Sequence, residues 1–243
     1  MSVLVVTGTD TEVGKTVVTA ALAALAAARG AKVAVVKPAQ TGVGPDDPGD
    51  LAVVGRLAGI TDLHEGRRFP DPLSPAAAAR LRGLPPLQLP QCVPLIRELA
   101  ASRDLVLVEG AGGLLVRFDE EGNTIADLAR WLGAPVVVTV RPDLGTLNHT
   151  ALTLEALAHR GVQLAGIVLG SWPDEPDLAM RANLRDLETL AARPLAGALP
   201  AGAGRMDAPE FLLAARTGLS PVFGGIFDAG TFRVNHQKGA YRD

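Results

Sequence analysis

One cysteine in 243 residues leaves no intrachain disulfide and no cysteine-based zinc site. Its setting, Gln91-Cys92-Val93-Pro94, carries no nucleophile signature, so an inert, half-buried thiol is expected. Aromatic residues make up only 4% of the chain, so the core must be built mainly from Ala, Val and Leu. There is no long block of one charge. The net charge of −3 argues against nucleic acid or an anionic membrane as the main partner. The longest weakly polar run, residues 17–28, is too short to span a bilayer. No basic segment with an apolar core and cleavage site precedes the first apolar run, and the cytoplasm is the expected location. With 48% hydrophobic and 20% charged residues, the chain has the make-up of a folded domain, and its length suits one large α/β unit.

What the chain does have is Thr7-Gly8-Thr9-Asp10-Thr11-Glu12-Val13-Gly14-Lys15-Thr16. An apolar run (3–6) precedes it and an alanine- and leucine-rich stretch (17–29) follows. Strand, glycine-bounded loop and helix, in that order, are the context of a phosphate-binding loop. Backbone N–H groups there face phosphate oxygens, and the helix dipole favours negative charge. Lys15 would reach the terminal phosphates and the Thr16 hydroxyl would ligate magnesium. Gly8 and Gly14 enclose five residues, one more than the common pattern. A mere glycine turn with a surface lysine would not require Gly-Lys-Thr at this junction.

Strands are expected at 3–6, 32–36, 104–108, 134–140, 164–169 and 195–199, each near-continuously apolar as in a parallel sheet. Helical patterns lie between them, at 15–29, 51–58, 75–81 behind Ser74, from about 89 or 93 to 101, 124–131, up to 160, 177–191 and 209–217. The alternation predicts a doubly wound, mostly parallel sheet in one domain (1–218), with helices on both faces and ligands at the carboxyl edge. Residues 219–243 show no convincing periodicity. Phe227, Phe232 and Tyr241 are candidates to dock on the body, and Asn235-His236-Gln237-Lys238 reads as a solvated tail. Removing this segment is expected to spare phosphate-loop binding.

Several residues fall at the expected carboxyl edge. Lys37 precedes Pro38, which should stop the ladder, and Gln40-Thr41-Gly42 opens a loop. Lys37 reads either as a solvated strand-end lysine or as a ligand-facing one. Asp50 reads equally as a helix N-cap or as a contact to magnesium or nucleotide. Glu109 closes an apolar strand and is followed by Gly110-Ala111-Gly112-Gly113. That pattern resembles the second acidic element of P-loop proteins, where a carboxylate serves magnesium and glycine lets the backbone approach phosphate. His149 is a lone histidine near a helix start and is expected to be structural.

These pieces together resemble the dethiobiotin synthetases. The resemblance is carried by Thr7 to Thr16, Lys37-Pro38 with Thr41-Gly42, Asp50 before a helix, Val108-Glu109-Gly110-Ala111-Gly112-Gly113, Gly145-Thr146-Leu147-Asn148-His149 and Gly197-Ala198-Leu199-Pro200. It implies a ligase acting on 7,8-diaminononanoate, CO2 and a nucleoside triphosphate with Mg2+. One amine forms a carbamate, the γ-phosphate is transferred to it, and the second amine closes the ureido ring. By resemblance, Thr16, Asp50 and Glu109 hold magnesium, and Lys15 and Lys37 are catalytic. Glu12, Val13, Gly14 and Val17 line the phosphate loop, and Gly110, Ala111 and Gly112 also meet the nucleotide. Thr41 contacts the carbamate or diamine. Gly145 and Asn148 receive the substrate carboxylate from the partner subunit of a homodimer. Several family members read adenine through an asparagine in an Ala-Asn strand end. Here Leu169-Gly170-Ser171 stands at that place, so base contacts fall to the backbone at Gly170, to Ser171 and to Leu199, Pro200 and Ala201. The departure leaves the nucleotide open between ATP and others such as CTP.

Two other readings share the loop. Partitioning ATPases carry an early lysine where this chain has Asp10. Cobyrinate-type diamide synthetases append a glutaminase domain with a nucleophilic cysteine, which neither the length nor Cys92 supports.

Overall fold

The computed structural model describes residues 3–237. The chain opens with strand β1 (Val3–Gly8), helix α1 (Lys15–Ala27), β2 (Val33–Thr41), α2 (Asp50–Ala58) and β3 (Leu63–Phe69). Helices α3 (Pro75–Arg82) and α4 (Cys92–Ser102) lead to β4 (Leu105–Gly113) and α5 (Ile125–Leu132). Then come β5 (Val136–Val140), α6 (Thr146–His159), β6 (Leu164–Trp172), α7 (Leu178–Ala191) and β7 (Gly197–Pro200). Helices α8 (Ala208–Gly218) and α9 (Ala229–His236) complete it.

The seven strands form one sheet in the order β3-β2-β4-β1-β5-β6-β7, and every neighbouring pair is parallel. Alternate side chains of the strands feed two separate cores. Val5, Val36, Val106 and Val108 pack with residues of α3 to α7 and α9, whereas Leu4, Val6, Val35 and Leu107 pack with α1, α2 and α8. Helix α1 crosses the sheet centre on fully buried alanines, Ala20, Ala21 and Ala23, whose small side chains permit a close approach. A domain poor in aromatics can bury its sheet this way.

The topology fixes where a ligand can enter. Strands β1 and β4 are neighbours, yet α1 leaves β1 toward one face and α5 leaves β4 toward the other. The diverging loops open a crevice at the carboxyl ends of both strands, the switch point where open α/β sheets bind ligands.

The architecture expected from the sequence holds, with local differences that have physical causes. Strand β2 runs through Pro38 to Thr41. Its ladder to β4 does end at Val36 opposite Val108, but pairing with β3 continues to Thr41 opposite Phe69. Strand β4 likewise continues through its glycines to Gly113, and β6 to Trp172. Strand β3 gave no sequence signal: it is an edge strand of Leu-His-Glu-Gly-Arg-Arg-Phe in which only Phe69 is buried. Nor is α8 the last helix, because α9 follows it.

The segment after α8 packs on the body as far as it is described, with Phe227 and Phe232 docked as expected; of the stretch read as a solvated tail, Asn235 is exposed. Leu219 and Phe223 join the core beside α1, and Phe227 joins the opposite core. The Phe232 ring lies 5.2 Å from Trp172 and 5.1 Å from Phe227, and the His236 ring lies 5.3 Å from Trp172. His236 and Gln237 are half-buried; Lys238 and Tyr241 lie outside the described residues. Isolated rings on a short helix anchor this end, so no periodic stripe was there to be read. Phe227→Ala is expected to destabilise the protein by about 3 kcal/mol, measured as a shift in the urea unfolding midpoint. A loss within the range of surface substitutions would contradict the docking of this segment.

Candidate active site

The loop after β1 turns on two residues with positive φ, Glu12 (58°) and Gly14 (94°). Gly14 precedes the first turn of α1 and has no room for a side chain: a Cβ there would lie 2.7 Å from the Gly170 carbonyl oxygen. Gly170 is confined in return, since its own Cβ would fall 2.0 Å from the Val13 carbonyl oxygen. Glycine at 170 is therefore explained by backbone packing against the loop. Glu12 is not a glycine, and its left-handed backbone costs of order 1–3 kcal/mol that its surroundings must offset. Val13 is buried beneath the loop, against Gly8.

Lys15, at the start of α1, and Lys37, on β2, reach the same cavity, of about 800 Å3. The Lys15 ammonium donates to the Asp10 carbonyl at 2.8 Å. Lys37 Nζ lies 2.5 Å from Asp50 Oδ2 and 2.8 Å from Glu109 Oε1, and donates to the Gly110 carbonyl at 3.3 Å. The Thr16 hydroxyl donates to the same Glu109 oxygen at 2.8 Å. Glu109 is fully buried, and its second oxygen, Oε2, has no hydrogen-bond partner. Asp50 is not the cap of α2. Gly49 holds that position, its carbonyl accepting from the Ala52 and Val53 N–H groups; Gln40 accepts from the Asp50 N–H at 2.9 Å, and the Asp50 carboxylate faces Lys37.

Burial and the nearby Lys37 charge lower the Lys15 ammonium to about 8. Burial alone would lower Lys37 too, but Glu109 and Asp50 outweigh it and hold its ammonium above the usual lysine value. One lysine is thus locked as a cation, while the other waits for an anion to stabilise its charge.

The expected residues divide cleanly. Glu12, Gly14, Lys15, Thr16, Lys37, Thr41, Asp50, Ala111 and Gly112 line the cavity. Glu109 and Gly110 back it through Lys37, and Val17 sits behind the loop near Gly204. Gly170, Ser171, Leu199, Pro200 and Ala201 lie beyond the loop at the ends of β6 and β7, joined by a 2.8 Å bond from the Ala201 N–H to the Trp172 carbonyl. Gly145, Asn148 and His149 do not line the cavity; all three are exposed at the start of α6. Cys92 is half-buried on α4, and burial raises its thiol pKa, as expected of an inert thiol. The sequence reading missed Gln40, Arg141 and an apolar wall of Pro72, Leu73 and Val116. Only the fold brings these together. Among the described residues, no cluster of three or more His, Cys, Asp or Glu side chains could hold a metal by itself.

A glycine-bounded loop at a helix start, a lysine and a threonine directed at one crevice, and a buried acid on the neighbouring strand define a P-loop nucleotide-binding protein. Solved structures agree on the fold: the cell division ATPase MinD of Pyrococcus furiosus superposes with a TM-score of 0.54 at 19% identity over 98% of this chain and 97% of that one. MinD of Pyrococcus horikoshii, complexed with Mg-ADP, gives 0.52 at 17% identity over 82% and 81%. At such identities the likeness extends to the fold alone. Residues 2–205 match the family model described as an AAA domain. The ATP-dependent dethiobiotin synthetase BioD of Parafrankia sp. is 63% identical over 96% of this chain and 98% of its own length. The enzymes of that name from Frankia casuarinae (63%, covering 98% and 100%) and Streptomyces coelicolor (55%, covering 97% and 99%) are similarly close. The chain belongs to the ATP-dependent dethiobiotin synthetase family.

The depressed Lys15 value has a measurable consequence. Below about pH 8 Lys15 is charged before nucleotide arrives; above it, triphosphate must bring a proton with it. Without divalent metal, binding is expected to take up close to one proton at pH 9 and almost none at pH 6.5, with affinity falling as pH rises. Calorimetry in buffers of different ionisation enthalpy measures this, and equal uptake at both pH values would contradict it.

Proposed function

We propose that this protein closes the ureido ring of dethiobiotin from 7,8-diaminononanoate, CO2 and ATP. The observation that carries the reading, beside family membership, is Lys37. A nucleotide switch needs the loop lysine, but a second, fully buried ammonium on the same cavity suits a reaction with a second anion. A carbamate is that anion. Its oxygen attacks the γ-phosphorus and the bond to ADP breaks. The free amine then attacks the carbonyl carbon, and phosphate leaves as the ring closes. Such a transfer needs positioning and charge neutralisation more than a protein nucleophile. Lys15 neutralises the γ-phosphate, and Lys37 steadies carbamate and phosphate together. Loop amides from Glu12 to Val17 hold the phosphates, and Gly110 to Gly112 let the backbone come close. Thr41 meets the carbamate or diamine, and Pro72, Leu73 and Val116 offer the alkyl chain an apolar wall.

The residues fit a magnesium ion. Thr16, Asp50 and Glu109 supply hard oxygen donors, and the buried, unpartnered Glu109 Oε2 is an acceptor that calls for a cation. Mg2+ bound there with the nucleotide would draw charge from the β- and γ-phosphates. A site sharing its coordination with nucleotide oxygens would need no all-protein cage.

A homodimer is part of the proposal. Gly145 and Asn148 lie at the start of the 14-residue helix α6, where its dipole suits a carboxylate. They do not line their own cavity, and neighbouring Leu144 is 87% exposed. A partner offering this helix to the cavity would complete it. The base falls to Ser171 and to the backbone of Gly170 and of Leu199 to Ala201.

The test is phosphate release by the purified protein with Mg2+, bicarbonate and ATP or CTP, with and without 7,8-diaminononanoate. Release is expected only with the diamine, with dethiobiotin as product. Release indifferent to the diamine would overturn the assignment.

A further inference from the structure

The strained turn of the phosphate loop has a brace that the reaction scheme does not use. Arg141 follows β5, and its guanidinium reaches back to the loop. One nitrogen, Nη2, donates to Asp10 Oδ2 at 3.0 Å and to the Thr11 carbonyl at 2.9 Å. Asp10 turns its other oxygen to the Thr11 N–H at 2.7 Å, and its carbonyl accepts from Lys15. Thr11 is followed directly by Glu12, with its left-handed backbone. Arg141 is itself anchored, because the Thr146 hydroxyl donates to its carbonyl at 2.6 Å. The Arg141 and Asp10 side chains are each about half exposed (42% and 48%), so the bridge lies at the surface beside Thr11 and Glu12, which line the cavity.

We propose that Arg141 is a positioning residue for nucleotide binding: by gripping the Asp10 carboxylate and the Thr11 carbonyl it holds the Glu12 turn in the shape that receives phosphate. The inference deepens the nucleotide-site reading and rests on it. Two effects would otherwise oppose phosphate binding. A non-glycine residue at positive φ tends to revert to ordinary backbone. An uncompensated Asp10 carboxylate would also repel the incoming phosphates, and Arg141 is the cation bonded to it. Arg141 does not line the cavity, so its action on the phosphates is indirect.

The experiment measures equilibrium nucleotide binding, by titration of a fluorescent ATP analogue, alongside diamine-dependent turnover. Arg141→Met is expected to weaken binding about tenfold, about 1.4 kcal/mol, to raise the nucleotide KM by a similar factor, and to leave kcat within about twofold. Adding Glu12→Gly, which removes the penalty at positive φ, is expected to recover most of that affinity. Asp10→Asn in the Arg141→Met background is expected to recover part of it. Unchanged affinity in Arg141→Met would overturn the proposal. So would losses that simply add in the double variants, since a merely structural arginine gives no rescue at Glu12. Thermal unfolding of each variant separates misfolding from loss of binding: an Arg141→Met protein whose affinity falls only in step with its unfolded fraction also overturns it. Binding is read directly, so the result stands apart from whether the diamine is the substrate.

Discussion

The cavity is organised around one buried ammonium between two carboxylates. Lys37 comes from β2, Glu109 from β4 and Asp50 from the first turn of α2, so three separate segments converge on one nitrogen. Burying an unpaired charge is expensive, and removing one partner of a buried ion pair commonly costs about 3–5 kcal/mol because the other is stranded. Lys37 and Glu109 therefore hold each other inside, and Asp50 pairs with the ammonium from a partly exposed position. The same pairing engages the Asp50 carboxylate, while Gly49 holds the cap position of α2 and its carbonyl takes the Ala52 and Val53 N–H groups. It also links to the phosphate loop, because Thr16 shares the Glu109 oxygen that Lys37 uses.

The two lysines divide the electrostatic work. Lys37 has its counter-charges built in: Glu109 and Asp50 outweigh the cost of burial and favour its ammonium form. Lys15 has only a carbonyl and distant acids, so its charge is costly until phosphate arrives. A site with both kinds of cation can bind a polyphosphate tightly at neutral pH and still keep a fixed positive charge for a second anion.

Much of this was legible in the chain before folding. Gly14-Lys15-Thr16 after Val3 to Val6, Glu109 before its glycines, and the strand–helix alternation pointed to the fold and to the residues that line or back the cavity, because each signal is local. Signals that need the third dimension were not available. Asp50 read equally as a cap or a ligand until the Gln40 side chain appeared beside it. Strand β3 is too polar to announce itself, and α9 is held by ring contacts to Trp172 that leave no stripe. Arg141 lies 131 residues from its partner Asp10, and no spacing rule joins them. Gly170 looked like a missing base-reading side chain, whereas the structure gives a packing reason for glycine: the phosphate loop presses against it.

The central claim is that Lys37 serves the second anion rather than the nucleotide, and Lys37→Gln tests it most directly. The amide keeps a donor for Glu109 and removes the charge. The account predicts that the variant, confirmed as folded, binds ATP within about threefold of the parent but gives no diamine-dependent phosphate release. Near-normal turnover would contradict the role assigned to Lys37, and loss of ATP binding in a folded variant would show that this lysine belongs to the nucleotide after all.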